Sequence, residues 1–241
     1  MVFAAGLGTR LRPYTSFRPK ALMDIEGTTL LEIALDRLQY YGCTGAIVNV
    51  HHFGDQVIDF IETRHWGNME VLISDERAWL LDTGGGLKKA AWYLGDAPFL
   101  IYNADILSTI HLADLYHTHV ASGALATLAV RHRDSSRVFL FDEENRLCGW
   151  RNTKTGEERM SRPVINPTAM AVSGIHAANP AIFDFMPGDQ LVFSMVDVYL
   201  KAAESQYIAA YCHDNDRWLD IGSPENLEKA RAGGLKPWLP E

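Results

Sequence analysis

MVFAAGLGTRLRPYTSFRPKAL, residues 1–22, places an apolar stub, 2–5, directly before a turn with two glycines. It then gathers Arg10, Arg12, Arg18 and Lys20 around Pro13 and Pro19. A short buried strand feeding a glycine turn is how an open α/β sheet presents a loop. In such sheets ligands sit beyond the carboxyl ends of the strands.

Outward from that stretch the periodicity keeps alternating between strand and helix. Leu31, Ala34, Leu35 and Leu38 share one face of a helix over 30–41, which Gly42 ends. A buried strand follows at 46–50, a helix at 55–64 and a strand at 69–74. The pattern repeats with a helix over 83–94, a strand at 99–105, a helix at 112–121 and a strand at 125–132. Such alternation predicts parallel strands joined by right-handed crossovers.

After Arg133 the texture changes. RVFLFDEENRLCGWRN, 137–152, reads as a hairpin turning at Glu144 and Asn145. Strands at 169–177 and 207–213 and helices at 180–186 and 195–204 follow, and Ser223 with Pro224 opens a closing helix. The expected fold is α/β, a Rossmann-like, doubly wound, mostly parallel mixed sheet with a β-rich second half. It is read as one domain over 1–241, whose halves are 1–133 and 134–241.

Composition narrows the function. Against 30 acidic side chains stand 22 Lys and Arg, a formal charge of −8, so the basic cluster is local. That balance argues against sequence-independent nucleic-acid binding, which needs broad cationic faces. It leaves room for a small anion in one pocket. No apolar run approaches a membrane span and no signal-peptide core is present, so a soluble cytoplasmic protein without membrane partner is expected. Cys43, Cys148 and Cys212 are odd in number and widely spaced, which predicts buried small apolar residues in a reducing compartment. Neither His51 with His52 nor His117 with His119 has a Cys or acidic partner at zinc-ligand spacing.

The first strand end offers Ala5, Gly6, Leu7, Gly8, Thr9 and Arg10, where glycines let backbone N–H groups approach an anion. A dinucleotide fingerprint needs glycine where Leu11 stands, and a Walker loop needs a Gly-Lys-Ser/Thr that is absent. The cations that follow are enough to hold a triphosphate. A plain glycine turn with solvated basic side chains is the alternative.

Gly6, Gly8, Arg10, Arg12, Pro13 and Thr15, followed by Pro19, Lys20 and Leu22, resemble the signature of the sugar-phosphate nucleotidyltransferases. LDTGGGL at 81–87, YNADI at 102–106, SGIH at 173–176 and WLDIGSPENL at 218–227 extend the likeness in family order. The resemblance implies an enzyme that joins a nucleoside triphosphate to a sugar 1-phosphate and releases pyrophosphate. It implies that Arg10 holds the β- and γ-phosphates, that Lys20 bridges the α-phosphate and the sugar phosphate, and that Asp105 and Asp220 hold Mg²⁺. Taken singly, either aspartate also reads as a turn-capping residue.

The nucleoside is then expected on the first loop and on Thr83, Gly84 and Gly85. A flexible lid carries Glu76, whose carboxylate is suited to the N3–H of a uracil or thymine ring or is simply solvated. Asn103, Gly174 and Trp218 are the expected sugar-side residues. The Glu-Lys-Pro stretch of many members is absent, and Arg151 or Lys154 is its substitute. The TGGG stretch resembles the uridylyltransferase branch that serves peptidoglycan recycling with N-acetylmuramate 1-phosphate. Mannose or heptose guanylyltransferases, glucose 1-phosphate thymidylyl- or uridylyltransferases, a nonsugar phosphate acceptor and a noncatalytic nucleotide-binding module are the alternatives. Members usually have more chain before the first loop, and the short tail leaves no room for an appended second activity. The oligomeric state stays open.

Overall fold

The first strand, Val2–Phe3, stops sooner than its apolar run. Ala4 and Ala5 donate their N–H groups to the side chain of Asn49 instead of to a neighbouring strand. In the computed structural model, which describes residues 1–240, the chain divides into two compact units. One comprises Met1–Leu80, Tyr102–Ala113 and Asp216–Glu241, and the other Leu81–Ile101 and Asp114–Asn215. The expected halves are each continuous in sequence, whereas these units are not.

In the first unit Val2 and Phe3 pair in parallel with Val48 and Asn49 on one side and with Tyr102 and Asn103 on the other. The strand Gly45–Val50 in turn pairs in parallel with Glu70–Asp75. Gly45–Val50 is buried from Ala46 onward and apolar except for Asn49, as expected of an inner parallel strand, whereas Glu70–Asp75 is exposed at both ends. The helix Leu30–Tyr40 opens with a reciprocal capping box between Thr29 and Glu32 and buries Leu31, Ala34, Leu35 and Leu38, as its period requires. Gly42, at φ +87°, follows its end.

A separate antiparallel ribbon joins Ile106–Ser108 to Trp218–Asp220, with Asp220 opposite Ile106. The strand 218–220 lies beyond the expected last strand and is too short to show a period. Its Leu219 packs against a core of Leu11, Met23, Ile25, Leu30, Leu107 and Ile221. The closing helix Pro224–Gly233 is capped by Ser223 Oγ, which accepts from the N–H of Asn226 at 3.3 Å.

In the second unit the strand Ala126–Arg131 pairs antiparallel with Thr168–Ala178 and parallel with Ile208–Cys212. The expected hairpin is Arg137–Phe141 with Leu147–Asn152, and its turn places Asn145 at φ +58°. Asp142 Oδ1 closes that turn by accepting from the N–H groups of Glu144 and Arg146. The helix expected over 83–94 is two pieces, Asp82–Lys89 and Ala91–Leu94, that meet at Ala90. The α/β class and the β-rich second half expected from the sequence are what the strands and helices form.

No described helix is long and apolar enough to cross a membrane. Cys148 is buried as expected, but Cys212 is exposed, at the outer end of its strand.

Candidate active site

The glycine turn is held from beneath by a buried hydrogen-bond chain. Asn49, 3% exposed, accepts from the N–H of Ala4 at 2.7 Å and of Ala5 at 3.2 Å, and its amide donates to Glu76 Oε1 at 2.8 Å. Glu76 is 1% exposed, and its own N–H donates to the carbonyl of Val50. Buried polar groups in such a chain depend on each other, because losing one leaves others dry and unpaired. The lid carboxylate expected at Glu76 is therefore corrected to a buried support under the turn. The N–H of Ala5, expected to face an anion, is engaged by Asn49.

Gly8 takes φ +63°, and a Cβ there would lie 3.0 Å from Thr15 Cγ2 and 3.3 Å from Lys20 Cβ. Only glycine meets both conditions without strain. Thr15 Oγ1 donates to the Gly8 carbonyl at 2.8 Å, and Leu11 anchors the short 3₁₀ turn Thr9–Leu11 in the core. Gly6 faces open space.

Lys20 begins a second 3₁₀ turn, Lys20–Leu22, whose Ala21 and Leu22 are buried, so the chain points its ammonium from a fixed base. That ammonium is paired with the carboxylate of Asp105 and lies 3.8 Å from Asp220 Oδ1. The carboxylates are neighbours because Asp220 pairs with Ile106 and the N–H of Ile221 donates to the Asp105 carbonyl at 2.9 Å. Asn226 fixes the Asp220 carbonyl from the other side at 2.7 Å.

Arg10 reaches the same place. A Cβ on Gly222 would lie 2.9 and 3.0 Å from the Asp220 carboxylate oxygens and 3.1 Å from Arg10 Nη2. Gly6, Leu7, Gly8, Thr9, Arg10, Leu11, Lys20, Asp105 and Gly222 thus enclose a cavity of about 250 Å³. Two cations, the Asp105 carboxylate and a glycine turn on its wall, with Asp220 beside Lys20 and Gly222, make it a place for a polyanion with a hard cation.

Asn103 ends the strand Phe99–Asn103 two residues before Asp105 and pairs with Phe3. Trp218 and Asp220, two apart on one strand, point to the same face. Four expected contact residues, Thr83, Gly84, Gly85 and Gly174, belong to the second unit. Gly84 and Gly85 donate their N–H groups to the Phe193 carbonyl at 2.9 and 3.3 Å, and Cβ atoms there would collide with Phe193 and with the Leu191 carbonyl. The close approach that these glycines permit is made by the chain's own 191–193 segment. Thr83 Oγ1 accepts from the N–H of Met195 at 3.0 Å. Gly174, at φ +74°, sits where the register of its strand shifts between Val172 and His176.

Asn49 was not among the expected residues. Its signal was a lone polar side chain inside the apolar run AIVNV, which a buried strand tolerates only when that side chain is satisfied.

Residues 1–236 match the nucleotidyl transferase family. The chain is 44% identical to the N-acetylmuramate alpha-1-phosphate uridylyltransferase of Caulobacter vibrioides, over 96% of this chain and 95% of that protein. It is 26% identical to the protein of the same name from Neisseria meningitidis serogroup B, over 96% of each. A crystal structure of UDP-glucose pyrophosphorylase complexed with UDP-glucose shares the fold, with TM-score 0.78 and 19% identity over 96% of each chain. Fold and cavity together define an α/β enzyme that handles phosphates. The chain belongs to the nucleotidyl transferase family and is an enzyme of the sugar-1-phosphate nucleotidyltransferase kind.

The family is in general dependent on a divalent metal. The residues present fit one: Asp105 and Asp220 already share a cation, the Lys20 ammonium, and both offer hard oxygen donors beside the phosphate-sized cavity.

Proposed function

We propose that this enzyme transfers the uridylyl group of UTP to N-acetylmuramate 1-phosphate, giving the UDP-sugar and pyrophosphate. The observation that carries the chemistry is the convergence of Lys20, Arg10, Asp105 and Asp220 on the cavity beside the glycine turn. The choice of base and sugar rests on the likeness to the Caulobacter vibrioides enzyme over nearly the whole chain.

A phosphate oxygen of the sugar 1-phosphate attacks the α-phosphorus of the nucleotide. A P–O bond forms there as the bond to the β-phosphate oxygen breaks, and pyrophosphate leaves with that electron pair. Both reactants are anions, so the protein's task is to bring them together and neutralise charge that builds on the transferring group.

Lys20 supplies positive charge to the α-phosphate and the incoming phosphate. Arg10, exposed and with its Nη2 beside Gly222, holds the β- and γ-phosphates and the leaving pyrophosphate. The main chain of Gly6, Leu7 and Gly8 cradles the phosphates, and Asn103 and Trp218 lie on the acceptor side. Asp105 and Asp220 would hold Mg²⁺, which screens phosphate charge and draws electron density from the α-phosphorus. The ion pair with Asp105 keeps Lys20 extended in the cavity, and Lys20 exchanges that partner for phosphate when substrate arrives.

Pyrophosphate release, measured for each nucleoside triphosphate with Mg²⁺ against a panel of sugar 1-phosphates, tests the reading. UTP with N-acetylmuramate 1-phosphate is expected to give the highest kcat/KM. A higher value for GTP with mannose 1-phosphate would replace base and sugar together. Nucleotide binding with no release on any acceptor would make the protein a noncatalytic module.

A further inference from the structure

The second unit carries a cluster that the transfer reaction does not use. His132, Cys212 and Asp214, all exposed, each bring one metal-ligating atom to within 4.8 Å of the others. His132 Nδ1 lies 2.7 Å from Asp214 Oδ2, and Cys212 Sγ lies 3.2 Å from the same oxygen.

The backbone builds this arrangement. The strands Ala126–Arg131 and Ile208–Cys212 run parallel with Cys212 opposite Val130, and the N–H of His213 donates to the Val130 carbonyl at 3.0 Å. Alternation then turns His213 inward, where Nε2 lies 2.6 Å from Ser173 Oγ, and sends Cys212 and Asp214 outward together. His132 follows the neighbouring strand, and its N–H donates to Asp214 Oδ1 at 2.8 Å, which fixes the carboxylate between the other two side chains.

We infer that His132, Cys212 and Asp214 form a zinc site that clips the ends of these two strands, with solvent as the fourth ligand. Imidazole nitrogen, thiolate sulfur and carboxylate oxygen are the three donor types that zinc takes, and sulfur with nitrogen selects against Mg²⁺. Without metal, one oxygen of Asp214 accepts the hydrogen bonds of the other two donors. With metal, the cation takes the place of those hydrogens: the thiol proton leaves to solvent, and the imidazole binds through Nδ1 as the neutral tautomer whose hydrogen is on Nε2, its Nδ1 hydrogen having been exchanged with solvent. The tetrahedral edge for zinc is somewhat longer than the present 2.7 Å, so the exposed His132 ring moves outward by a few tenths of an ångström.

The test uses the full-length protein in excess Mg²⁺, which occupies all-oxygen sites, with Co²⁺ and Zn²⁺ as probes. One Co²⁺ per chain is expected to produce a thiolate-to-cobalt charge-transfer band, and Zn²⁺ is expected to displace it and raise the Tm. Cys212→Ser abolishes the band, and His132→Ala and Asp214→Asn each weaken binding about tenfold or more. Asp105→Asn, which strikes the transfer site, keeps the band. Cys212 is exposed, so Cys212→Ser is expected to fold, and its unchanged circular dichroism and metal-free Tm verify that. No charge-transfer band in the wild type, or equal zinc uptake by Cys212→Ser, overturns the inference and leaves His132–Asp214 as a hydrogen-bonded pair that closes the strand end.

Discussion

The N–H of Ile221 donates to the carbonyl of Asp105 at 2.9 Å, and with the ribbon it extends, this backbone bond sets two distant parts of the chain in register. Because Asp220 precedes Ile221, its carboxylate emerges beside that of Asp105, and Lys20 finds both. The carboxylate pair is therefore a property of the ribbon Ile106–Ser108 with Trp218–Asp220 rather than of the main sheet edge.

Lys20→Ala removes the cation that the two carboxylates share and the charge proposed for the α-phosphate. The turnover number is expected to fall about 10²–10³-fold, a loss of roughly 3–4 kcal/mol of transition-state stabilisation, with UTP affinity reduced much less. Single-turnover kinetics beside equilibrium UTP binding separates the two. A variant that turns over near the wild-type rate would remove Lys20 from the chemistry.

Asn49→Ala is expected to cost about 3 kcal/mol of stability, because it strands the buried N–H groups of Ala4 and Ala5 and leaves Glu76 without its amide donor. Urea unfolding measures that loss. Activity should fall as well, since these two N–H groups set the path of the chain into Gly6 and Gly8. Full stability in the variant would show that water replaces the amide.

These two residues mark how far the sequence could be read. The alternation of periods displayed the strands and helices, and Gly6 with Gly8 marked the turn after the first strand, because local geometry governs both. Asn49 could not be placed, since its partners arrive from the first strand and from Glu76, and a single chain shows no pairing. Glu76 was misplaced for a related reason: Glu is ordinarily solvated, and only a buried donor such as Asn49 makes its burial tolerable. Gly84 and Gly85 signalled a close approach correctly but not by what, since a backbone segment and a ligand make the same demand on a missing Cβ. Cys212 was expected inside because a lone cysteine usually packs there, yet its exposure follows from its place at the outer end of a strand.

Gly222→Ala tests the space in which Arg10 meets Asp220. The added methyl would lie within 2.9–3.1 Å of the Asp220 oxygens and of Arg10 Nη2, so both side chains must turn away. A fall in kcat/KM of about ten- to a hundredfold is expected, with stability within about 1 kcal/mol of wild type. Unchanged kcat/KM would mean that the guanidinium finds its phosphates from another direction.

Acid should weaken the fold through His176. Burial lowers its pKa to about 4, and its Nδ1 lies 2.7 Å from the hydroxyl of Tyr199, whose own pKa burial raises. An unfolded chain takes up that proton near pH 6.5, so between about 6.5 and 4 the unfolded state binds more protons than the native one. Stability therefore falls as pH drops through this window, by up to about 3 kcal/mol for this one group, and is flat above it. His119, which burial also shifts downward, adds in the same direction. Unfolding free energies measured from pH 7.5 to 4.5 check the slope, and His176→Asn, which cannot take up a proton, should flatten it by about 1.4 kcal/mol per pH unit. An identical slope in wild type and variant would assign the acid sensitivity to other groups.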